Sequence, residues 1–140
     1  MKVRWTNESL RLRITPAELA AICAEKNVAV SLAFPGEGSW TTEIIAQGNE
    51  SKIAFEQNSV RVYVSRKDVE KLNADDEEGI YFTASGPAMK YMIEKDFPCA
   101  HPRPAQALET PTETFTPPPG FEERKQKIRA ESSVIPKPLS

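Results

Sequence analysis

The feature that most constrains the fold is a pattern that occurs twice, fifty residues apart. The stretch "SLRLRITPAEL" begins at Ser9, and "SVRVYVSRKDV" begins at Ser59. When the chain is shifted by fifty without gaps, apolar residues and turn residues align along both halves, although few residues are identical. Self-similarity at a fixed period indicates a structural repeat. We therefore predict two repeats, over residues 1–47 and 51–97.

Each repeat is predicted to form strand, strand, helix, strand and strand. Aliphatic residues alternate with arginine over residues 10–14, which places them on opposite faces of a strand. Thr15 and Glu18 form a capping box at the start of a helix, and Ser65 starts the second helix in the same way. The third strand is predicted to face the core with Val28, Val30, Leu32 and Phe34.

Two such repeats predict an α+β protein that is mainly antiparallel β. One repeat alone has little core and bare strand edges, so two copies are expected to cover each other about a pseudo-twofold axis. The simplest arrangement is a closed or nearly closed eight-stranded barrel with two short helices. A two-layer sandwich is the alternative.

Proline marks the end of the folded unit. Nine of the twelve prolines lie between Pro98 and Pro138, in a segment that is also rich in threonine. Such a composition buries too little apolar surface to offset the entropy of ordering the chain. We predict a domain over residues 1–97 and a Pro/Thr-rich, largely disordered tail over residues 98–140, which reaches for a protein partner.

Composition excludes several classes of function. The chain has 18 Lys plus Arg against 20 Asp plus Glu, and this balance argues against nucleic acid as a partner. Neither a membrane-spanning run nor a secretory signal is visible. The two cysteines, Cys23 and Cys99, form no disulfide framework, which is typical of a cytoplasmic protein with reduced thiols.

The densest polar cluster is "EKDFPCAHPRP", which starts at Glu94. Cys99 and His101, completed by Asp96 or Cys23, could bind zinc or a similar metal ion. The same cysteine and histidine could instead form a nucleophile pair, although no residue that would orient the histidine can be identified. The motif lacks the usual metal-ligand spacings, so both readings compete with a structural one.

In the structural reading, the motif ends the last strand and fixes the exit of the chain. Phe97 is predicted to be buried and to anchor the end of the strand, while His101 and Arg103 hydrogen-bond locally; Glu94, Phe97 and Arg103 are the residues of this structural motif. The prolines that follow stop further strand pairing because each removes a backbone donor.

A second candidate site is an arginine-rich face of the strands. The alternation points Arg4, Arg11, Arg13 and Arg61 away from the apolar faces. Guanidinium groups suit phosphate or carboxylate, so these residues could bind an anion. The alternative is a solvated outer face on which acidic neighbours balance the arginines.

The segments "MKVR", "SLRLRIT" and "EKDFPCAHPR" resemble an uncharacterised family of small bacterial proteins that is known only as a domain of unknown function. The resemblance covers roughly the first 103 residues. It departs at the first hairpin, where this chain has Asn7-Glu8 in place of the Gly-Asn turn usual in the family. The resemblance implies no activity, because the family has none assigned.

The absence of a recognisable catalytic spacing favours a non-enzymatic binding or adaptor module with a partner-seeking tail. The alternative is a metal-binding protein or a metal-dependent enzyme for small molecules that uses Cys99, His101 and Asp96.

Overall fold

The computed structural model describes residues 1–36, 38–84, 88–98, 113–124 and 126–127. Ten elements follow one another in the predicted order: β1 (Lys2–Trp5), β2 (Ser9–Ile14), α1 (Pro16–Cys23), β3 (Val28–Ala33), β4 (Ser39–Ile45), β5 (Lys52–Glu56), β6 (Ser59–Tyr63), α2 (Arg66–Asn73), β7 (Gly79–Ala84) and β8 (Met89–Lys95).

Both helices begin where the sequence predicts. The amide of Glu18 donates to the Thr15 hydroxyl at 3.2 Å, and the Thr15 amide donates back to the Glu18 carboxylate at 2.9 Å. This capping box satisfies two amides that the first turn of α1 would otherwise leave unpaired. The amide of Asp68 donates to the Ser65 hydroxyl in the same way at α2. In the part of the chain that the structure describes, no helix is long and apolar enough to cross a bilayer.

The eight strands form two four-stranded sheets, in the orders β1-β2-β8-β7 and β3-β4-β6-β5. The four hairpins are antiparallel, whereas the two central pairs, β2 with β8 and β4 with β6, are parallel. Each sheet therefore combines a hairpin from the first half of the chain with a hairpin from the second half. The sheets are mixed, which the prediction of antiparallel hairpins did not anticipate.

The predicted closed barrel is wrong, and the alternative, a two-layer sandwich, fits the structure. Among the described residues, the edge strands β1, β7, β3 and β5 pair on one side only, so both sheets stay open. One core joins them, and its fully buried side chains come from both sheets and both helices: Leu10, Leu12, Ile14, Ile22, Ile44, Val60, Val62, Val64, Leu72, Ile80 and Ile93.

Strand registers show how far the fifty-residue shift holds. In β1–β2, Lys2 lies opposite Arg13, and in β5–β6, Lys52 lies opposite Tyr63, which is the same register fifty residues later. After the helices the two halves are no longer offset by fifty residues. The cross-strand pair Val28 and Ile44 in the first half corresponds to the pair Ile80 and Ile93 in the second half. The ungapped alignment had placed Val30 over Ile80. The repeat boundaries themselves stay a prediction.

The chain also makes contacts after the boundary predicted at residue 97. The Phe115 amide donates to the Asp96 carbonyl at 3.0 Å. Phe121 is 8% exposed, and its ring centroid lies 4.9 Å from that of Phe97. Arg124 forms a surface ion pair with Glu78 at 3.4 Å. Residues 113–124 therefore contribute buried surface to the fold.

Candidate binding surface

The outer half of β3 is not in the core. Val28 is buried, but Val30, Leu32 and Phe34 are 36%, 60% and 51% exposed, so the prediction that all four face the core is wrong. The alternation is correct, because Val30 and Leu32 lie opposite Thr42 and Trp40 on the inner face of their sheet. What the alternation could not show is that the other sheet does not reach over this half of β3.

Two aromatic residues are exposed at the ends of other edge strands. Trp5 ends β1 opposite the buried Leu10, and Phe55 lies in β5 opposite the buried Val60, so both rings are on inner faces. Their exposed fractions are nevertheless 44% and 56%. Edge strands have a neighbour on one side only, and here that leaves large rings uncovered.

These residues form one continuous surface through Trp40. The ring centroid of Trp5 lies 6.2 Å from that of Trp40 in an edge-to-face arrangement and 6.5 Å from that of Phe55. Trp40 is also the direct cross-strand partner of Leu32. We define the apolar rim as Trp5, Leu32, Phe34, Trp40 and Phe55. Sequence analysis did not single out Trp5, Trp40 or Phe55 and placed Phe34 in the core, although Trp5 and Phe55 occupy equivalent places in the two hairpins.

The second half of the chain covers its corresponding positions. Phe82 stacks on the buried Tyr91 with ring centroids 4.9 Å apart, and Phe82 and Ala84 are half-buried against the core. Burial, with a smaller effect from Asp68, raises the pKa of the Tyr91 hydroxyl. The apolar rim thus belongs mainly to the sheet that contains β3.

The four arginines predicted to bind an anion do not share one face. Arg4, Arg11 and Arg13 lie on one sheet and Arg61 on the other. Arg11 pairs with Glu94 at 2.9 Å, and Arg61 pairs with Glu43 at 3.5 Å and Glu56 at 3.2 Å. A hydrogen bond with Tyr63, followed by the charge of Glu56, raises the pKa of Arg61. Carboxylates therefore already neutralise two of the four, and anion binding stays a prediction.

Of the residues predicted to bind a metal ion, Asp96 and the exposed Cys23 lie among the described residues; Cys99 and His101 lie outside them, as does Arg103. Asp96 is buried, and its carboxylate pairs with the Lys2 ammonium at 2.9 Å. No group of three or more His, Cys, Asp or Glu side chains with suitable geometry occurs in the described part of the chain. The zinc site stays a prediction.

Phe97 is half-buried and not buried as predicted. Its ring lies 4.9 Å from that of Phe121 and 6.1 Å from that of Phe115, by centroids. Phe97 therefore contacts the returning C-terminal segment, and Glu94 holds Arg11 on the outer face of the sheet. The structural role predicted for Glu94, Phe97 and Arg103 stays a prediction.

An open groove of about 710 Å³ lies between the two helices and the loop after β4. Cys23 and Val69 contribute to its walls. Arg66 at its border pairs with Glu25 at 3.1 Å, so two of the charged side chains that line the groove neutralise each other. The groove shows no convergent set of polar groups that would point to a ligand.

Residues 1–117 match DUF7009, a family of unknown function. The resemblance predicted from the sequence to a family of unknown function is thereby confirmed. The match covers both sheets, both helices and Phe115, and it ends before Phe121. A search of curated proteins found no match.

Proposed function

The chain belongs to DUF7009, a family that carries no assigned activity, and from that premise we propose that it is a non-enzymatic protein-interaction module whose binding surface is the apolar rim. The single observation that carries this proposal is that exposed large apolar side chains of both sheets, Trp5, Leu32 and Phe55, are joined through contacts of Trp5 and Trp40. Single exposed apolar residues are ordinary, but a contiguous patch marks an interaction site.

The size of the rim supports the proposal. Aromatic side chains present about 150–250 Å² each, so exposed fractions of 44%, 51% and 56% for Trp5, Phe34 and Phe55 leave roughly 100 Å² of each uncovered. With Leu32 the exposed area is roughly 400 Å², which is within the range of patches that are often functional. Covering it would contribute about 10 kcal/mol before the costs of association.

Backbone geometry adds to this. β3 is an edge strand, so one row of its amide and carbonyl groups faces away from β4. An extended partner segment could pair with that row while its alternate side chains contact the rim, which is the general mode of β-strand addition. The tail predicted over residues 98–140 would then be a second point of attachment, and that role stays a prediction.

The experiment uses the two tryptophans of the chain, Trp5 and Trp40, because both lie in the rim. A library of random peptides is displayed and selected on the full chain, and synthetic copies of the selected peptides are titrated while tryptophan emission is recorded. We expect the emission to shift to shorter wavelength as bound peptide covers Trp5.

Matched variants make the assay specific. Phe55→Lys should weaken peptide binding at least about tenfold, because a buried interface then contains an unpaired charge. Tyr81→Lys is the control, since Tyr81 is equally exposed but lies on the other sheet, away from the rim. Selected peptides that bind Phe55→Lys as tightly as the wild type, with no change in tryptophan emission, would refute the proposal.

A further inference from the structure

The edge of β3 lacks the features that keep strand edges apart. The edge strands β1 and β5 each carry a lysine and a second charged residue, whereas β3 (VAVSLA) and β7 (GIYFTA) carry neither charge nor proline. β3 differs from β7 in its uncovered inner face, because Leu32 is exposed whereas Phe82 of β7 stacks on Tyr91. Charges and prolines on an edge strand prevent pairing with another chain, so their absence leaves β3 open to pairing.

Hydrogen bonds within the hairpin decide which residues of β3 face outward. The Phe34 amide donates to the Gly38 carbonyl at 3.1 Å, so Phe34 directs its backbone groups toward β4. Because this direction alternates along an antiparallel strand, Ala29, Ser31 and Ala33 direct theirs away from the sheet. Their side chains are small, and among the described residues no second strand pairs with these three amides and three carbonyls.

This edge is complementary to itself. If two β3 strands lie antiparallel with Ser31 opposite its own copy, Ala29 lies opposite Ala33, and all outward backbone groups meet in hydrogen-bonded pairs. The same register places Val30 opposite Leu32 on the inner face, so apolar side chains meet apolar side chains on both sides of the axis. A shift by one residue would bring inner-face residues opposite outer-face residues and lose this match.

We propose that a second copy of this chain covers β3, and that two β3 strands pair about a twofold axis at Ser31 to join two four-stranded sheets into one of eight strands. The proposal rests on the proposed function, because it names the partner that occupies the β3 side of the rim. A twofold, self-complementary contact closes on itself, whereas pairing β3 with β7 of another copy would continue into an open chain of molecules. The inner face of β7 is also already covered by Tyr91.

The test is sedimentation equilibrium of the full chain over a wide concentration range. The wild type is expected to show reversible association to twice the chain mass. Ser31→Lys places two like charges opposite each other at the axis, and it should raise the dimer dissociation constant at least about tenfold. Thr83→Lys is the matched control, because Thr83 has the place on β7 that Ser31 has on β3, and its dissociation constant should equal that of the wild type.

A cross-link tests the register. Directly opposed residues of a hydrogen-bonded antiparallel pair have Cα atoms about 5.5 Å apart, which a disulfide can bridge. In a chain that also carries Cys23→Ser and Cys99→Ser, Ser31→Cys should form a disulfide-linked dimer on mild oxidation, and Thr83→Cys should not. Circular dichroism of each variant confirms that it is folded.

Two outcomes would overturn the inference. A wild type that stays monomeric at every concentration would do so, and a Thr83→Lys variant that dissociates as readily as Ser31→Lys would place the contact elsewhere. A monomer that still binds rim-directed peptides would refute this inference and leave the proposed function intact. If Ser31→Lys left the dimer dissociation constant unchanged and no selected peptide bound the rim, both this inference and the proposed function would be refuted.

Discussion

Replacing Phe121 with alanine tests whether the returning C-terminal segment stabilises the domain. Phe121 is 8% exposed, and its ring contacts that of Phe97, which follows the last strand, β8. A phenylalanine presents about 200 Å² of side-chain surface, so this burial corresponds to about 4–5 kcal/mol as an upper limit. The measured loss should be smaller, since an undocked segment also regains conformational entropy.

We therefore expect Phe121→Ala to lower the free energy of unfolding by about 1–3 kcal/mol. The segment also contributes the Phe115 ring, which packs against the core and lies 6.1 Å from the ring of Phe97 by centroids, a backbone hydrogen bond from Phe115 and the exposed ion pair of Arg124 with Glu78. Truncation after residue 112 should therefore cost more than the single substitution, because it removes Phe115 together with Phe121.

The assay is urea denaturation followed by circular dichroism, with the free energy extrapolated to water. Phe34→Ala is the matched control: it makes the same chemical change at a ring that is 51% exposed, so it should cost no more than about half as much as Phe121→Ala. If Phe121→Ala had the same free energy of unfolding as the wild type, the contact of Phe121 with Phe97 would not stabilise the fold, and the reasoning would be refuted.

Three further predictions follow from single contacts. Because burial raises the pKa of Tyr91 above its ordinary value near 10.0, its contribution to stability is present below that pH and is lost above it; Tyr91→Phe should flatten the fall of the urea midpoint between about pH 9 and 11. Lys2→Ala leaves the buried Asp96 carboxylate without its ion pair and should cost about 1–3 kcal/mol in urea denaturation, whereas Lys52→Ala, which loses only a contact over a tyrosine ring, should cost less than about 1 kcal/mol. Gly79→Ala would place a methyl group 2.7 Å from a backbone carbonyl of β8, and it should lower the melting temperature by an amount equivalent to about 1–3 kcal/mol.

Local features of the fold could be predicted from the sequence because local physics determines them. The Thr15 capping box depends on residues three apart, and the alternation in β2 depends on a period of two, so neither needs knowledge of the remaining chain. Pairing partners are different. Nothing in the alternation of β2 says that its neighbour is β8, about eighty residues away. The closed barrel was predicted because two repeats with bare strand edges were expected to cover each other.

The candidate site was harder to predict for a related reason. Alternation correctly assigned Leu32 to the inner face, but exposure depends on how far the opposite sheet extends. Trp5 and Phe55 looked like ordinary strand residues, and only the contact of Trp5 with Trp40 shows that they join one surface. The alternation of residues predicts the direction of a side chain. Whether that side chain is exposed depends on the packing of elements that are distant in the sequence.

Each sheet combines one hairpin from each half of the chain, and this arrangement determines the order in which the two sheets can form as the chain leaves the ribosome. Sheet β3-β4-β6-β5 needs only residues up to Tyr63, and its central register joins Thr41 to Ser59. The other sheet joins Ser9 to Lys90, and closing that longer loop costs about 1.3 kcal/mol more in chain entropy. The emerging chain can therefore complete the sheet that contains β3 first. The first hairpin must wait for the last one to complete its sheet, so one edge of β2 stays unpaired until β8 leaves the exit tunnel.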